Sequence, residues 1–202
     1  DAELLVDVAD LTIDGGDIAL ADGVDDNLLR ITADGVTLCN FKGDGNRANQ
    51  TAQSGSVVHV EGSDFTGENI IADNSARHGV YIDGVANNVK NPTLRGVRGD
   101  NNDRDLVSLE GPNLEDPTVD GAYGKNSANR GTVEIVDGVT GAVVEDVYGG
   151  SQSYVVSIED HGNAGEDHDD IHVEHVRGES VGAFIAQVLS DLGHENITIA
   201  DV

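Results

Sequence analysis

The hydrophobic residues of this chain recur in short alternating triplets, in which two apolar positions flank one outward position. Successive triplets begin between 22 residues (Val58 to Val80) and 29 residues (Leu29 to Val58) apart. Alternation with a period of two over so few residues is typical of a β-strand with one buried face. The triplets are Leu29-Arg30-Ile31, Val58-His59-Val60, Val80-Tyr81-Ile82, Val107-Ser108-Leu109, Val133-Glu134-Ile135, Val156-Ser157-Ile158 and Ala183-Phe184-Ile185.

A second pattern lies between the triplets and has two apolar residues separated by two others, often with a glycine at its end. Spacing of three also occurs in helices, but β-branched neighbours such as Val143 and Val144 favour a strand, a short corner and a second strand. Ile71…Asn74 fits the spacing but would place an asparagine inward. The members are Leu38…Phe41, Ile71…Asn74, Leu94…Val97, Val119…Ala122, Val144…Val147, Val173…Val176 and Ile199…Val202.

Together the two patterns predict a repeated coil of two or three short strands separated by Gly, Asn and Asp turns. Such units cannot bury their apolar faces alone, so they stack into a solenoid. We therefore predict an all-β fold, a right-handed single-stranded parallel β-helix of about seven coils with 22–29 residues per coil. Right-handedness is the default of parallel crossovers. A β-propeller does not fit, because its blades repeat every ~40–50 residues.

The regularity of the pattern divides the chain in two. Residues 1–26 are predicted to form an irregular first coil or an N-terminal cap, and residues 27–202 the β-helix, as a segment of a longer chain.

The 26 glycines and 3 prolines agree with many tight corners. Cys39 is the single cysteine, so no internal disulfide is expected.

Charge excludes several classes of partner. The chain carries 38 Asp and Glu against 11 Lys and Arg, a net charge of −27, which repels nucleic acids and anionic membrane surfaces. No apolar run approaches the ~18 residues of a membrane span, so no membrane insertion is expected. The acidity is dispersed, as on the surfaces of halophilic proteins, where a Debye length of about 3 Å in molar salt makes dense charge tolerable. An ordinary acidic extracellular protein is the alternative.

The ending Asn196–Val202 and its upstream relatives resemble the parallel β-helix repeats of the pectin-lyase-like superfamily, over roughly residues 27–202. The resemblance implies the fold but no single activity, because that superfamily contains lyases, glycosidases, viral tailspikes and non-catalytic surface proteins. Arg77-His78-Gly79 matches the family's Gly-His-Gly motif only in part, and the family's Asn-Thr-Asp motif is absent. These departures weaken the expectation of an enzyme.

Equivalent positions of stacked coils form columns about one strand spacing apart. Two outward columns contain candidate site residues. Carboxylates about 5 Å apart match retaining glycosidases, which makes Asp120, Glu145 and Glu174 the catalytic candidates. Sugars present C–H faces to aromatic rings and hydroxyls to charged groups, so the glycan-binding candidates are Arg95, Arg98, Tyr123, Tyr148 and Arg177. The alternative is that outward positions simply hold polar residues and that a tyrosine pair stabilises the strands.

Acidic residues and histidines are dense between Asp160 and His175, where oxygen and imidazole ligands suit Ca²⁺ or a transition metal. The candidate ligands are Asp167, His168, Asp169 and His172, and Ca²⁺ is the cofactor considered. No recognised metal-binding spacing is present, and a solvated acidic turn is the alternative.

Two functions follow from these features. The first is a non-catalytic β-helix module of an extracellular or virion surface assembly in a halophilic system, such as a tailspike, fibre, turret or cell-surface protein. It would form homo-oligomers, with a trimer favoured, and would bind cell-surface glycans. The alternative is a polysaccharide lyase or glycoside hydrolase of the pectin-lyase-like superfamily.

Overall fold

The computed structural model describes residues 3–52, 54–160, 167–189 and 194–202. They form a parallel β-solenoid of about seven turns, so the predicted all-β solenoid is confirmed. A 3-10 helix spans Arg47–Asn49, and no helix among the described residues is long and apolar enough to cross a membrane. The strands are β1 (Leu4–Val6), β2 (Thr12–Asp14), β3 (Asp17–Ala19), β4 (Leu29–Ile31), β5 (Thr37–Cys39), β6 (Lys42–Asp44), β7 (Val58–Val60), β8 (Thr66–Glu68), β9 (Ile71–Asp73), β10 (Val80–Asp83), β11 (Val89–Lys90), β12 (Thr93–Asp100), β13 (Val107–Glu110), β14 (Leu114–Glu115), β15 (Thr118–Lys125), β16 (Val133–Val136), β17 (Val143–Gly150), β18 (Tyr154–Glu159), β19 (Asp169–Glu179), β20 (Phe184–Leu189) and β21 (Glu195–Ala200).

These strands stack into long parallel sheets. The first sheet has the order β1-β4-β7-β10-β13-β16-β18-β20, and the second has the order β2-β5-β8-β12-β15-β17-β19-β21. The short strands β3, β6 and β9 form a third face that joins β12. The strands β1 and β2 pair in register with β4 and β5, so residues 1–26 include a stacked first coil.

Six of the seven predicted triplets lie in the first sheet at equivalent positions, but the seventh prediction is wrong. Val156 pairs with Ala186 and Ile158 with Val188, so the repeat continues at Ala186-Gln187-Val188 rather than at Ala183-Phe184-Ile185. This coil takes 30 residues from Val156 to Ala186, one more than the predicted upper bound of 29. Because the connection between the two strands is longer than predicted, the inward positions of the last coil lie three residues later in the chain than the sequence pattern predicted.

The interpretation of Ile71…Asn74 as an inward pair is also wrong. Gly67 pairs with Leu94 and Ile71 pairs with Arg98, so the inward pair is Gly67…Ile70, and Ile71 is exposed. A Cβ atom on Gly67 would lie 2.8 Å from the Leu94 side chain and 3.1 Å from the Phe65 ring. Because the side chains of Phe65, Ile70 and Leu94 together fill the space, this coil needs a glycine where the others have an apolar residue.

A column of left-handed residues forms the corner in the middle of the second sheet. Its members are Gly15, Asn40, Asn69, Gly96, Gly121, Asp146, His175 and Asp201, all with positive φ. Glycine and asparagine adopt this conformation most readily, and two neighbouring side chains in the column form a hydrogen bond, in which Asn69 Nδ2 donates to Asn40 Oδ1 at 3.4 Å. The corner is a single residue, and it separates the two predicted outward columns onto different faces.

Candidate functional site

The outward column beyond the corner brings together residues that the sequence predicted to be neighbours. Its register is Ile71, Arg98, Tyr123, Tyr148 and Arg177, one from each of five successive coils. The rings of Tyr123 and Tyr148 stack with centroids 4.8 Å apart and planes inclined by 5°. We call these five residues the aromatic column.

A groove of about 380 Å³ opens beside Tyr123 on the side away from Tyr148. Since Tyr148 covers one face of the Tyr123 ring, the opposite face is the one that borders the groove. Tyr123 as a whole is 38% exposed, and its side chain is part of the lining of the groove. We call this feature the Tyr123 groove, and its lining consists of Ile71, Asp73, Arg98, Gly99, Asp100, Tyr123 and Lys125.

The Tyr123 groove has cations and carboxylates around an apolar floor. Lys125 Nζ lies 5.4 Å from the centroid of the Tyr123 ring, and its contact with the tyrosine hydroxyl raises the pKa of Lys125. The backbone N–H of Asp100 donates to Asp73 Oδ1 at 2.9 Å. Burial raises the pKa of Asp73, and the nearby carboxylate of Asp100 adds to the effect.

Arg98 is the cation of this surface with the most freedom. It borders the Tyr123 groove and two smaller grooves along the aromatic column. Among the described residues, none forms a side-chain hydrogen bond or ion pair with its guanidinium group. By contrast, Tyr148 donates to Glu179 Oε2 at 2.7 Å, a bond that raises the pKa of Tyr148 and holds its ring behind Tyr123.

The other glycan-binding candidates lie away from the groove. Arg95 precedes the corner, with its guanidinium 3.7 Å from Glu68. Arg177 ends the aromatic column and bonds to the carbonyl oxygen of Asp201 at 2.9 Å. The structure therefore brings Arg98, Tyr123 and Tyr148 together and leaves these two arginines outside.

The predicted column of carboxylates is also present. Asp120 pairs with Glu145, and Glu145 with Glu174, in direct register. These side chains precede the corner, however, and none of them lines any of the three grooves described above. The carboxylate column and the aromatic column therefore do not form one cleft.

The four predicted metal ligands do not form a single group among the described residues. His168 is buried, and its Nε2 lies 2.9 Å from the carbonyl oxygen of Glu159. Asp169 accepts a hydrogen bond from Asn196, and Asp167 is exposed. His172 instead lies near Glu174, with Nε2 3.3 Å from its carboxylate, and Glu145 completes that half-buried group.

Sequence reasoning missed five residues of the Tyr123 groove, namely Ile71, Asp73, Gly99, Asp100 and Lys125. Asp100 and Lys125 lie two residues beyond Arg98 and Tyr123 on the same strands, so their side chains share the outward face. The alternation of a strand, in which every second side chain points to the same face, would therefore have identified Asp100 and Lys125. Ile71 was missed because the sequence pattern assigned it to an inward position, whereas its pairing with Arg98 makes it an outward residue.

Comparison of the chain with protein-family models, with curated proteins and with solved structures finds no match. The function is therefore inferred from the geometry of the grooves.

Proposed function

We propose that this solenoid is a non-catalytic glycan-binding module of an extracellular or virion surface assembly, and that the Tyr123 groove is its saccharide site. One observation carries the proposal. The Tyr123 ring is supported on one face by Tyr148 and borders an open groove whose lining includes the charged residues Asp73, Arg98, Asp100 and Lys125.

The composition of the groove suits a sugar ring. An aromatic face packs against the C–H groups of a pyranose, while Arg98, Lys125 and the two aspartates match its hydroxyl groups. The two cations balance the two carboxylates, and the chain as a whole carries a charge of −27. A neutral saccharide fits this electrostatic setting better than a polyanionic one.

The separation of the two columns favours binding over hydrolysis. A glycosidase needs its two carboxylates on either side of the bound glycosidic bond. Asp120, Glu145 and Glu174 precede the corner, whereas the saccharide would lie beyond it against Tyr123. The pectin-lyase-like resemblance contributes the comparison with tailspikes and surface proteins, and homotrimers on a virion or cell surface are the setting that we propose.

Binding of neutral oligosaccharides should depend on Tyr123 and Arg98. We expect Tyr123→Ala and Arg98→Gln each to weaken binding of the best ligand by at least about tenfold, since a lost stacking or charged contact is worth about 1.4 kcal/mol. Arg95→Gln is the matched control on the other face and should bind normally. The measurement is isothermal titration calorimetry in 2 M KCl with gluco-, galacto- and manno-tetraoses, and with a tetrameric uronate for comparison.

Two results would overturn this proposal. One is binding that survives in Tyr123→Ala with wild-type affinity. The other is cleavage of an oligosaccharide, followed by reducing-end release, that is lost in both Asp120→Asn and Glu145→Gln. Tighter binding of the uronate than of every neutral tetraose would contradict the assignment of a neutral ligand.

The halophilic setting rests on the dispersed acidity, and salt should stabilise the fold. We expect the thermal unfolding midpoint to rise between 0.1 M and 2 M KCl, because screening shortens the Debye length from about 10 Å to below 3 Å. NaCl at equal concentrations separates screening from specific binding of K⁺. A midpoint that stays constant or falls across this range, measured by circular dichroism, would contradict a halophilic origin.

A further inference from the structure

The outer face of the first sheet carries a cluster of fully buried ionisable side chains. His78 and Asp105 occupy equivalent positions on successive coils, each two residues before the paired Val80 and Val107. Glu134 comes from the next coil, where it pairs with Ser108. The exposed fractions of His78, Asp105 and Glu134 are 0%, 0% and 3%. We call these three residues the buried triad.

Polar atoms of the buried triad lack partners among the described residues. Neither ring nitrogen of His78 forms a hydrogen bond, and Oδ2 of Asp105 has none of normal geometry, although the Tyr154 hydroxyl group and Glu134 lie close to this carboxyl group. The remaining carboxylate oxygens are held in place: Ser108 donates to Glu134 Oε1 at 2.8 Å, and the Gly131 N–H donates to Asp105 Oδ1 at 2.9 Å. Buried polar groups are normally satisfied, so these orphaned atoms indicate a missing ligand.

Neighbouring arginines are paired with carboxylates outside the triad. Arg77 lies 3.5 Å from Glu110, and Arg130 lies 2.8 Å from Glu159 but 3.9 Å from Glu134. Among the described residues no arginine lies within ion-pair distance of Asp105, and Glu134 shares Arg130 with Glu159, so the arginines only partly offset the charges of Asp105 and Glu134. Their two negative charges would be balanced by one divalent cation.

The distances within the buried triad suit a small cation. His78 Nδ1 lies 3.7 Å from Glu134 Oε1 and 4.0 Å from Asp105 Oδ2. Ligands about 2.1 Å from a tetrahedral Zn²⁺ lie about 3.4 Å apart, so closure needs shifts of a few tenths of an ångström. Ca²⁺ is a poorer match, because it prefers six to eight oxygen ligands.

The Tyr154 ring packs against Gly131, the residue whose backbone N–H donates to Asp105. A Cβ atom on Gly131 would lie 2.3 Å from this ring, so the glycine is what lets the ring lie flat against the sheet. The hydroxyl group of Tyr154 is buried close to the Asp105 carboxyl group and the Arg130 guanidinium group. Because all three side chains of the triad are buried, an ion bound between them would be shielded from bulk solvent.

We propose that His78, Asp105 and Glu134 bind one divalent transition-metal ion, with Zn²⁺ as the representative ion, and that this ion links three successive coils. One imidazole and two carboxylates are suitable ligands for such an ion. The site is independent of the Tyr123 groove and would act on stability.

The protonation of the ligands agrees with this role. Burial, together with the charges of Arg77, Arg104 and Arg130, holds the pKa of His78 well below its ordinary value, so the imidazole is neutral and able to coordinate. Burial and the neighbouring Glu134 carboxylate raise the pKa of Asp105 well above its ordinary value. The raised pKa of Asp105 reflects its burial beside a second carboxylate, a like charge that a bound cation would offset.

The test uses the full chain after treatment with a chelator. We expect it to bind one equivalent of Zn²⁺ by calorimetry and to show a higher thermal midpoint with the ion bound. His78→Gln and Asp105→Asn should weaken this binding at least about 100-fold, since loss of a partner that only orients a ligand already costs about 10–100-fold. The matched control is His172→Gln, which makes the same change in the half-buried group with Glu145 and Glu174 and should leave the tight equivalent intact.

Asp105→Asn keeps the shape of the side chain and its acceptor for the Gly131 N–H, so it guards against a variant that fails to fold. Circular dichroism of this variant should match that of the wild type. Absence of a tight Zn²⁺ equivalent in the wild type would overturn the proposal. So would wild-type affinity in a folded Asp105→Asn chain, or loss of the tight equivalent in His172→Gln instead.

Discussion

Replacing Phe65 with alanine is expected to lower the free energy of unfolding by about 3–5 kcal/mol. Phe65 is fully buried, and its ring occupies the space that Gly67 leaves open beneath Leu94. Because glycine has no side chain that can move into the cavity, the site can collapse only by shifting backbone between coils. Urea denaturation followed by circular dichroism measures the loss.

The matched control is Phe184→Ala, which deletes the same atoms from a ring that is 54% exposed, against 0% for Phe65. We expect it to cost less than about 1 kcal/mol, since little apolar area is returned to water. Similar losses in the two variants would contradict the stacking of coils around Phe65.

Gly111→Ala should be nearly as damaging, for a different reason. Gly111 has a φ of +110°, and a Cβ atom there would lie 2.3 Å from the backbone nitrogen of Val85 and 2.4 Å from the carbonyl carbon of Gly84. Those are backbone atoms of the preceding coil, which cannot rotate away. Backbone strain and overpacking together are expected to cost about 2–5 kcal/mol.

Gly121→Ala separates the two contributions. Gly121 also has a positive φ, +81°, but its Cβ atom would find only the Gly96 backbone at 3.5 Å or more, an ordinary contact. The expected loss is about 1–2 kcal/mol, which reflects the left-handed conformation alone. If Gly111→Ala and Gly121→Ala unfold at the same urea concentration, the close approach of the coils at Gly111 is wrong.

Much of the fold could be predicted because a solenoid repeats its inward positions. The alternation at Val80–Ile82 and Val107–Leu109 gave the first sheet, and equal spacing placed Tyr123 beside Tyr148. The errors arose where one coil departs from the pattern. Gly67 replaces an apolar residue, and the last coil has a longer connection before Ala186.

The candidate sites depend on contacts between residues of different coils, which the repeat pattern of the sequence does not specify. Whether a tyrosine has a free face depends on which neighbours stack on it, and the single-residue corner decides that Asp120 lies outside the groove. His78 and Asp105 lie in connections rather than in strands, so their burial follows from side chains of other coils. These relations are visible only after the coils are stacked.

The central claim, that a saccharide packs on the free face of Tyr123, is tested most directly by fluorine NMR of the chain labelled with 3-fluorotyrosine. The four tyrosines give four resonances, which single Tyr→Phe variants assign. On addition of the best neutral tetraose the Tyr123 resonance should shift most and that of Tyr148 less, while buried Tyr81 and Tyr154 stay unchanged. An unshifted Tyr123 resonance at saturating saccharide, or a larger shift at Tyr81 or Tyr154, would contradict the claim.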